Sequence, residues 1–213
     1  MIPPMSKIFS RRRLATAILL TVVFYICMAT SFDPSDRYSH MQNPLVTLLI
    51  YLLYVTAFCT IDIRDCMILS RFSNPQAAIR YYIGKTAGYV SACFAVDFVV
   101  MALLSLLLRD RSSLIQYLSY FAFTWISLLY LISLYYILSG LFSHLWAKII
   151  VYSGIVASFG FNFAGFYVVD LLFYNMTNGY TLFTFLLQLT VTAAYWFLAY
   201  CLYAIRRKKW EWT

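Results

Sequence analysis

The sequence predicts an all-α protein, a polytopic membrane helix bundle with six transmembrane helices and both termini in the cytoplasm. Of its 213 residues, 63% are hydrophobic and only 11% are charged, whereas a soluble domain carries about 25% charged residues. The apolar residues fall in six runs of membrane-spanning length, because about 20 helical residues cross a hydrocarbon core of about 30 Å. Residues 1–213 are therefore expected to form a single transmembrane domain.

Each apolar run has its own boundary signal. The first follows a basic segment with Lys7 and Arg12, and it is longer than the apolar part of a usual signal peptide, so we interpret it as a retained span. Pro44 opens the second run, in keeping with proline at a helix start. The predicted spans are about 14–31, 44–61, 86–108, 114–138, 148–169 and 181–205.

Three short connections separate the later spans. Arg109-Asp110-Arg111 forms a polar turn between spans three and four. Residues 139–147, with Gly140 and His144, are predicted to connect spans four and five. Asn178-Gly179 is a turn signal before the last span.

The basic residues indicate the orientation of the chain. Six spans place both termini on one side, together with the second and fourth connections. That side holds 13 of the 16 Lys and Arg residues: Lys7, Arg11, Arg12, Arg13, Arg64, Arg71, Arg80, Lys85, Lys148, Arg206, Arg207, Lys208 and Lys209. Cytoplasmic loops carry an excess of Lys and Arg, so this side is predicted to be cytoplasmic. The expected location is the cell membrane, as a multi-pass protein of the bacterial plasma membrane.

The longest polar break, residues 62–85, reads DIRDCMILSRFSNPQAAIRYYIGK. Asn74-Pro75 is a helix-start signal, with Asn74 as the cap and Pro75 at the first helical position, and a helix from Pro75 is expected to continue into span three. We interpret the segment as a cytoplasmic loop that docks on a soluble partner. Its apolar contact surface would be Met67, Ile68, Leu69 and Phe72, with a charged rim of Arg64, Arg71 and Arg80. The alternative is an amphipathic segment whose bases meet anionic membrane lipid.

Asp97 is an acid well inside span three, midway between Lys85 and Arg109. A charged Asp there costs about 2.5–3.5 kcal/mol on insertion scales. It faces either a substrate path or protomer interface, or it is hydrogen-bonded to a tyrosine or serine of a neighbouring helix. Helical spacing places Thr86, Val90, Cys93, Asp97 and Met101 on one face, and Gly84, Gly88, Ala92 and Ala95 on roughly the opposite face, where close helix packing is expected.

Asn162 is the second intramembrane polar candidate. It shares one face of span five with Gly154, Ser158 and Gly165. Such a stripe favours close packing between helices, with Asn162 as a hydrogen-bonding group inside the membrane.

The motifs of several function classes do not occur in the sequence. The five cysteines are scattered without metal-ligand spacing, and the two histidines fall in predicted connections rather than in spans. The metallopeptidase, serine-hydrolase and P-loop patterns are also missing. We therefore expect no catalytic residue, metal site or cofactor on this chain, and no nucleic-acid partner.

The layout of a basic N-terminus, two spans, the segment ILSRFSNPQAAIRYYIGK and a basic C-terminal tail resembles the small six-span permease subunits of bacterial ABC-2-type exporters. In that family the loop between spans two and three contacts a P-loop ATPase through a coupling helix. The resemblance implies that residues 62–85 take this role, that ATP and Mg²⁺ bind to the partner ATPase, and that a second permease copy or a homologue completes the transporter. The substrate would be a peptide, an antibiotic or a lipid-like molecule. The alternative is a non-transporting integral membrane protein, such as an immunity or assembly factor that binds a partner.

Overall fold

The computed structural model describes residues 15–16, 18–23, 26, 44–59, 75–107, 114–163 and 182–210. This part of the chain is helical apart from Cys59, Phe142 and Ser143, and it contains no strand, so the all-α class is confirmed for it. Helical residues occur in all six predicted spans, and in the first span they are residues 15–16, 18–23 and 26. Five helices have defined bounds: α1 Pro44–Phe58, α2 Pro75–Leu107, α3 Leu114–Leu141, α4 His144–Phe163 and α5 Leu182–Trp210.

Three of these helices are long and apolar enough to cross a membrane. Their apolar segments are Ile83–Leu104 in α2, Leu118–Leu141 in α3 and Leu182–Ile205 in α5. Within the described residues, α1 and α4 contain shorter apolar segments, Leu48–Phe58 and His144–Ala157. By length and composition the chain is a membrane protein.

The central helix of the bundle is α3, which contacts each of the other four helices. In its apolar segment 78% of the residues are buried, compared with 28% in the apolar segment of α2 and 11% in that of α5. A helix that is apolar on every side belongs either inside a bundle or against lipid. The protein therefore surrounds α3 with the other helices and leaves most of the α5 surface, including Leu182, Phe183 and Phe197, exposed.

The helix α5 packs parallel to α3, as their paired side chains show. The rings of Phe123 and Phe185 are 5.6 Å apart, and the Ser139 and Tyr203 hydroxyls share a 2.7 Å hydrogen bond. Residue numbers therefore increase in the same direction along both helices, as they do only in a parallel pair. Between them, the Gln188 side-chain amide donates to the Ser127 hydroxyl at 2.7 Å.

The helix α2 runs antiparallel to α3. Thr86 bonds to Tyr136 at 3.0 Å, whereas Phe98, three turns further on, packs on Phe121 with ring centroids 5.4 Å apart. The start of α2 therefore lies at the same end of the bundle as the ends of α3 and α5 and the start of α4. This end, which we call the basic end, holds every Lys and Arg of the described residues: Arg80, Lys85, Lys148, Arg206, Arg207, Lys208 and Lys209.

The connection between α3 and α4 is much shorter than predicted. Residues 139–147 were expected to form it, but only Phe142 and Ser143 lie outside the helices. Ser143 caps α4, because its hydroxyl accepts a 3.5 Å hydrogen bond from the Trp146 backbone N–H. Gly140 and the polar residues around it are typical of loops, which is why a longer connection was predicted. In an apolar medium, however, a helix keeps all its backbone hydrogen bonds, so the chain remains helical there.

The start of α2 agrees with the sequence prediction. The helix begins at Pro75 and continues without a break for 33 residues to Leu107. At about 1.5 Å per residue its length is about 50 Å, more than the hydrocarbon core and headgroup layers together. The first turns of α2 therefore extend beyond the apolar segment that begins at Ile83.

Shortening a core side chain of α3 tests its central position. Leu128 is fully buried, whereas Leu103 on α2 is 55% exposed. We expect Leu128→Ala to lower the free energy of unfolding by about 2–5 kcal/mol because it leaves a cavity. The matched Leu103→Ala variant should lose much less. Unfolding of both variants in mild detergent, titrated with a denaturing detergent, measures the difference, and equal losses would contradict the central position of α3.

Candidate functional site

The intramembrane site is on the inner face of α2. Thr86, Val90, Cys93, Asp97 and Met101 are all buried against the other helices. The sequence prediction that these five residues share a face is thereby confirmed.

The opposite face of α2 differs from the prediction. Gly84, Gly88, Ala92 and Ala95 are exposed, and a Cβ added at Gly84 or Gly88 would meet no atom within 4 Å. The expectation of close helix packing is wrong for contacts among the described residues. Small side chains allow another helix to pack closely, but they do not determine which helix packs there or whether any helix does.

Asp97 is completely buried and is bonded to α1. The Tyr54 hydroxyl donates a hydrogen bond to Oδ2 of the carboxyl group. Its second oxygen, Oδ1, is also buried and has no hydrogen-bond partner among the described residues. Chemically, Oδ1 can take up a proton or accept one further hydrogen bond, provided that a donor reaches it.

Aromatic rings enclose the Tyr54–Asp97 pair. The Tyr54 ring stacks on Phe58 with centroids 6.2 Å apart and meets the ring of Phe94 edge-on at 5.8 Å. Phe94 in turn contacts Phe121 of α3 at 5.3 Å. The pair thus lies between α1, α2 and α3 in the interior of the bundle and not on its outer surface.

Further hydroxyl groups join the helices in pairs. They include Thr86 with Tyr136, Ser139 with Tyr203, Thr56 with Tyr152, Ser91 with Trp125, Ser127 with Gln188, and Tyr135 with His144. His144, predicted to lie in a connection, is the first residue of α4 and bonds back to α3 through Tyr135. Several tyrosines of this chain, such as Tyr136 and Tyr203, are therefore hydrogen-bonding groups in the interior of the bundle.

The other predicted site residues are placed only in part. The backbone of Asn162 lies within α4. The apolar surface Met67, Ile68, Leu69 and Phe72, together with Arg64 and Arg71 of the charged rim, lies outside the described residues. Arg80 is exposed near the start of α2, where its Nε donates a 3.3 Å hydrogen bond to the Tyr200 hydroxyl of α5.

Metal binding has no support in the part of the chain that the structure describes, where no three His, Cys, Asp or Glu side chains lie together. No protein-family model matches the chain, and comparison with curated proteins and with solved structures found no match. The site is therefore interpreted from its own geometry.

Sequence reasoning did not find Tyr54, the partner of Asp97. A buried acid needs a donor, and the sequence shows that tyrosines are abundant. It does not show which of them faces Asp97. The position of α1 relative to α2 depends on the connection between them, and hydrophobic periodicity gives no information about that geometry. A tyrosine within an otherwise apolar span is nevertheless a signal for this kind of partner.

A double-mutant cycle tests the Tyr54–Asp97 pair. Tyr54→Phe keeps the ring but removes the donor, so we expect it to lower the free energy of unfolding by about 1–3 kcal/mol. Combined with Asp97→Ala it should cost clearly less than the sum of the single changes, with a coupling energy of about 0.5–3 kcal/mol. Detergent unfolding measures all three variants.

The Thr56–Tyr152 pair is the control for this cycle. It joins two neutral hydroxyls and Thr56 is exposed, so its coupling should be smaller. Additive effects of Tyr54→Phe and Asp97→Ala would show that the two residues act independently.

Proposed function

We propose that this chain is the membrane-spanning permease subunit of an ATP-driven exporter of the ABC-2 type, with six spans and both termini in the cytoplasm of a bacterial cell. A separate P-loop ATPase, which binds ATP and Mg²⁺, docks on residues 62–85. A second permease copy or a homologue completes the transporter. The substrate class is a peptide, an antibiotic or a lipid-like molecule.

The unbroken helix α2 is the observation that carries this proposal. A coupling segment has to be joined rigidly to a span if movement of an ATPase is to reach the membrane. Residues 62–74 lead directly into Pro75, and from there one helix continues through the apolar segment Ile83–Leu104. A force applied near Pro75 is thus transmitted along a single helix to Asp97 and to the contacts of α2 with α1 and α3.

The basic end supports the cytoplasmic position of the docking loop. The starts of α2 and α4 and the ends of α3 and α5 share this end with seven Lys and Arg residues. Residues 62–74 immediately precede α2, so they join the bundle at the basic end. Lys and Arg accumulate on the cytoplasmic side of membrane proteins.

The interior of the bundle favours a second candidate. Asp97 is bonded to Tyr54 and enclosed by aromatic rings, which is also what a stable bundle without a transport path requires. A non-transporting membrane protein that acts by binding a partner, such as an immunity or assembly factor, has the same features.

Reporter fusions test the six-span topology. A reporter that is active only outside the cytoplasm should work when fused after Asn43, Ser112 or Thr177. It should be inactive after Ser73, Ser143 or Trp210, because those positions are predicted to be cytoplasmic. A second reporter, active only inside the cytoplasm, provides the control and should show the opposite pattern. If the first reporter is active when fused after Ser73, the proposed docking loop is not cytoplasmic and the proposal is contradicted.

Co-purification tests the ATPase partner. The tagged full chain is isolated in mild detergent from its native host, and co-purifying proteins are identified by mass spectrometry. We expect a P-loop ATPase with the wild type and its loss with Arg71→Glu/Phe72→Ala, which reverses one charge and removes one apolar side chain of the loop. The matched variant Arg207→Glu/Trp210→Ala makes the same changes in the C-terminal segment and should retain the ATPase.

The two candidate functions predict different outcomes. Recovery of a different protein, with no ATPase, from a folded bundle favours the non-transporting protein. Equal loss of the ATPase from both double variants would place the contact elsewhere than residues 62–85.

A further inference from the structure

A shallow, open groove of about 560 Å³ runs along the outer face of α2 at the basic end. Its floor is formed by Gly84, Gly88 and Ala92, and the space above both glycines is open. The three floor residues span eight positions, which is about 12 Å along a helix axis. This is most of the depth of one leaflet, whose hydrocarbon layer is about 15 Å.

The walls of the groove carry two cations and two tyrosines. Arg80 and Lys85 are exposed, and Tyr81 and Tyr89 stand beside them. The Arg80 guanidinium lies 5.6 Å from the centre of the Tyr200 ring, and the Lys85 Nζ lies 5.7 Å from the centre of the Tyr81 ring. These aromatic contacts hold both side chains beside the groove without neutralising their charge.

The described residues provide no carboxylate for these cations. Asp97 is the single acid among them, and it is buried on the opposite face of α2, where it bonds to Tyr54. The groove therefore combines a positive rim, which no acid of the described residues neutralises, with a narrow apolar floor. That combination fits a ligand with an anionic head and a hydrocarbon tail.

The depth of the groove identifies the source of such a ligand. Arg80 precedes the apolar segment that begins at Ile83, and Lys85 lies within its first turn. Both cations are thus at headgroup level, and the floor extends from there into the hydrocarbon layer. Tyrosines are typical of this boundary.

We propose that the groove binds one anionic phospholipid, with its phosphate between Arg80 and Lys85 and an acyl chain along Gly84, Gly88 and Ala92. Basic sites at the cytoplasmic ends of transmembrane helices bind anionic headgroups in this way. The site needs neither an ATPase nor a transport path, although Arg80 and Lys85 also end the segment 62–85 that the exporter proposal assigns to the ATPase. The test below reads out bound lipid alone, so its failure would leave the ATPase proposal standing.

A second copy of the chain fits this face less well. In a symmetric pair each surface meets its own equivalent, so a pair crossing at Gly88 would bring two copies of Arg80 and Lys85 together. Like charges facing each other are unfavourable, and the described residues offer no acid to separate them.

Native mass spectrometry tests the lipid site. The full chain is equilibrated in mixed micelles with equal amounts of phosphatidylglycerol and phosphatidylcholine, and the lipid retained by the protein is identified. The wild type should retain one phosphatidylglycerol in preference to phosphatidylcholine. Arg80→Ala/Lys85→Ala should lower that preference by about ten-fold, because each base near the headgroup adds to the attraction.

Gly88→Leu separates the groove from simple charge attraction. It fills the floor while leaving both cations in place, and it should lower retention of phosphatidylglycerol by a similar factor. Two matched controls should behave as the wild type: Gly154→Leu, at another exposed glycine with open space above it, and Lys148→Ala, at another base of the basic end. Circular dichroism and size-exclusion chromatography confirm that each variant is folded.

Three results would overturn the proposal. The first is equal retention of the two lipids by the wild type. The second is unchanged retention by folded Gly88→Leu, which would leave only non-specific charge attraction. The third is a dimeric wild type that Gly88→Leu converts to a monomer without any change in lipid, which would assign the face to a second copy.

Discussion

Hydrogen bonding without water is the constraint on which this bundle depends. Its interior is built from apolar and aromatic side chains, yet it contains an aspartate, a glutamine and many hydroxyls. A polar group in such surroundings is costly unless it finds a partner within the protein. Tyrosine meets much of this requirement, because its ring packs like phenylalanine and its hydroxyl reaches a polar group on the next helix, although Oδ1 of Asp97 has no partner among the described residues. Tyr54, Tyr136 and Tyr203 each do so, with Asp97, Thr86 and Ser139 respectively.

Such bonds also fix the register between helices. Lipid is as apolar as leucine, so burial alone gives helices in a membrane little reason to associate in one arrangement. The bond between Thr86 and Tyr136 fixes how far α2 is displaced along α3, and the bonds of Ser127 and Ser139 do the same for α5. The parallel arrangement of α3 and α5 follows from these contacts. Any permease or partner-binding role would use this framework.

The fold class and the inner face of α2 could be predicted from the sequence. Both depend on local periodicity, and Pro75 marks the start of α2 through its own backbone chemistry. The α3–α4 connection was predicted too long, because Gly140 and His144 are typical of loops but are held within helices here. The partner of Asp97 and the open face at Gly88 could not be predicted, since both depend on which helices meet, and periodicity says nothing about that.

The parallel packing of α3 and α5 has a consequence for how the protein is made. The chain is synthesised from its N-terminus, so α3 enters the membrane before its most extensive neighbour exists. Until α5 arrives, the hydroxyl of Ser127 lacks the Gln188 amide that donates to it. The Ser139 hydroxyl still donates to the Tyr136 carbonyl of its own helix, but it lacks the Tyr203 hydroxyl. The hydrogen bonds that fix the register of α3 against α5 therefore form only after the intervening helix α4 has been made.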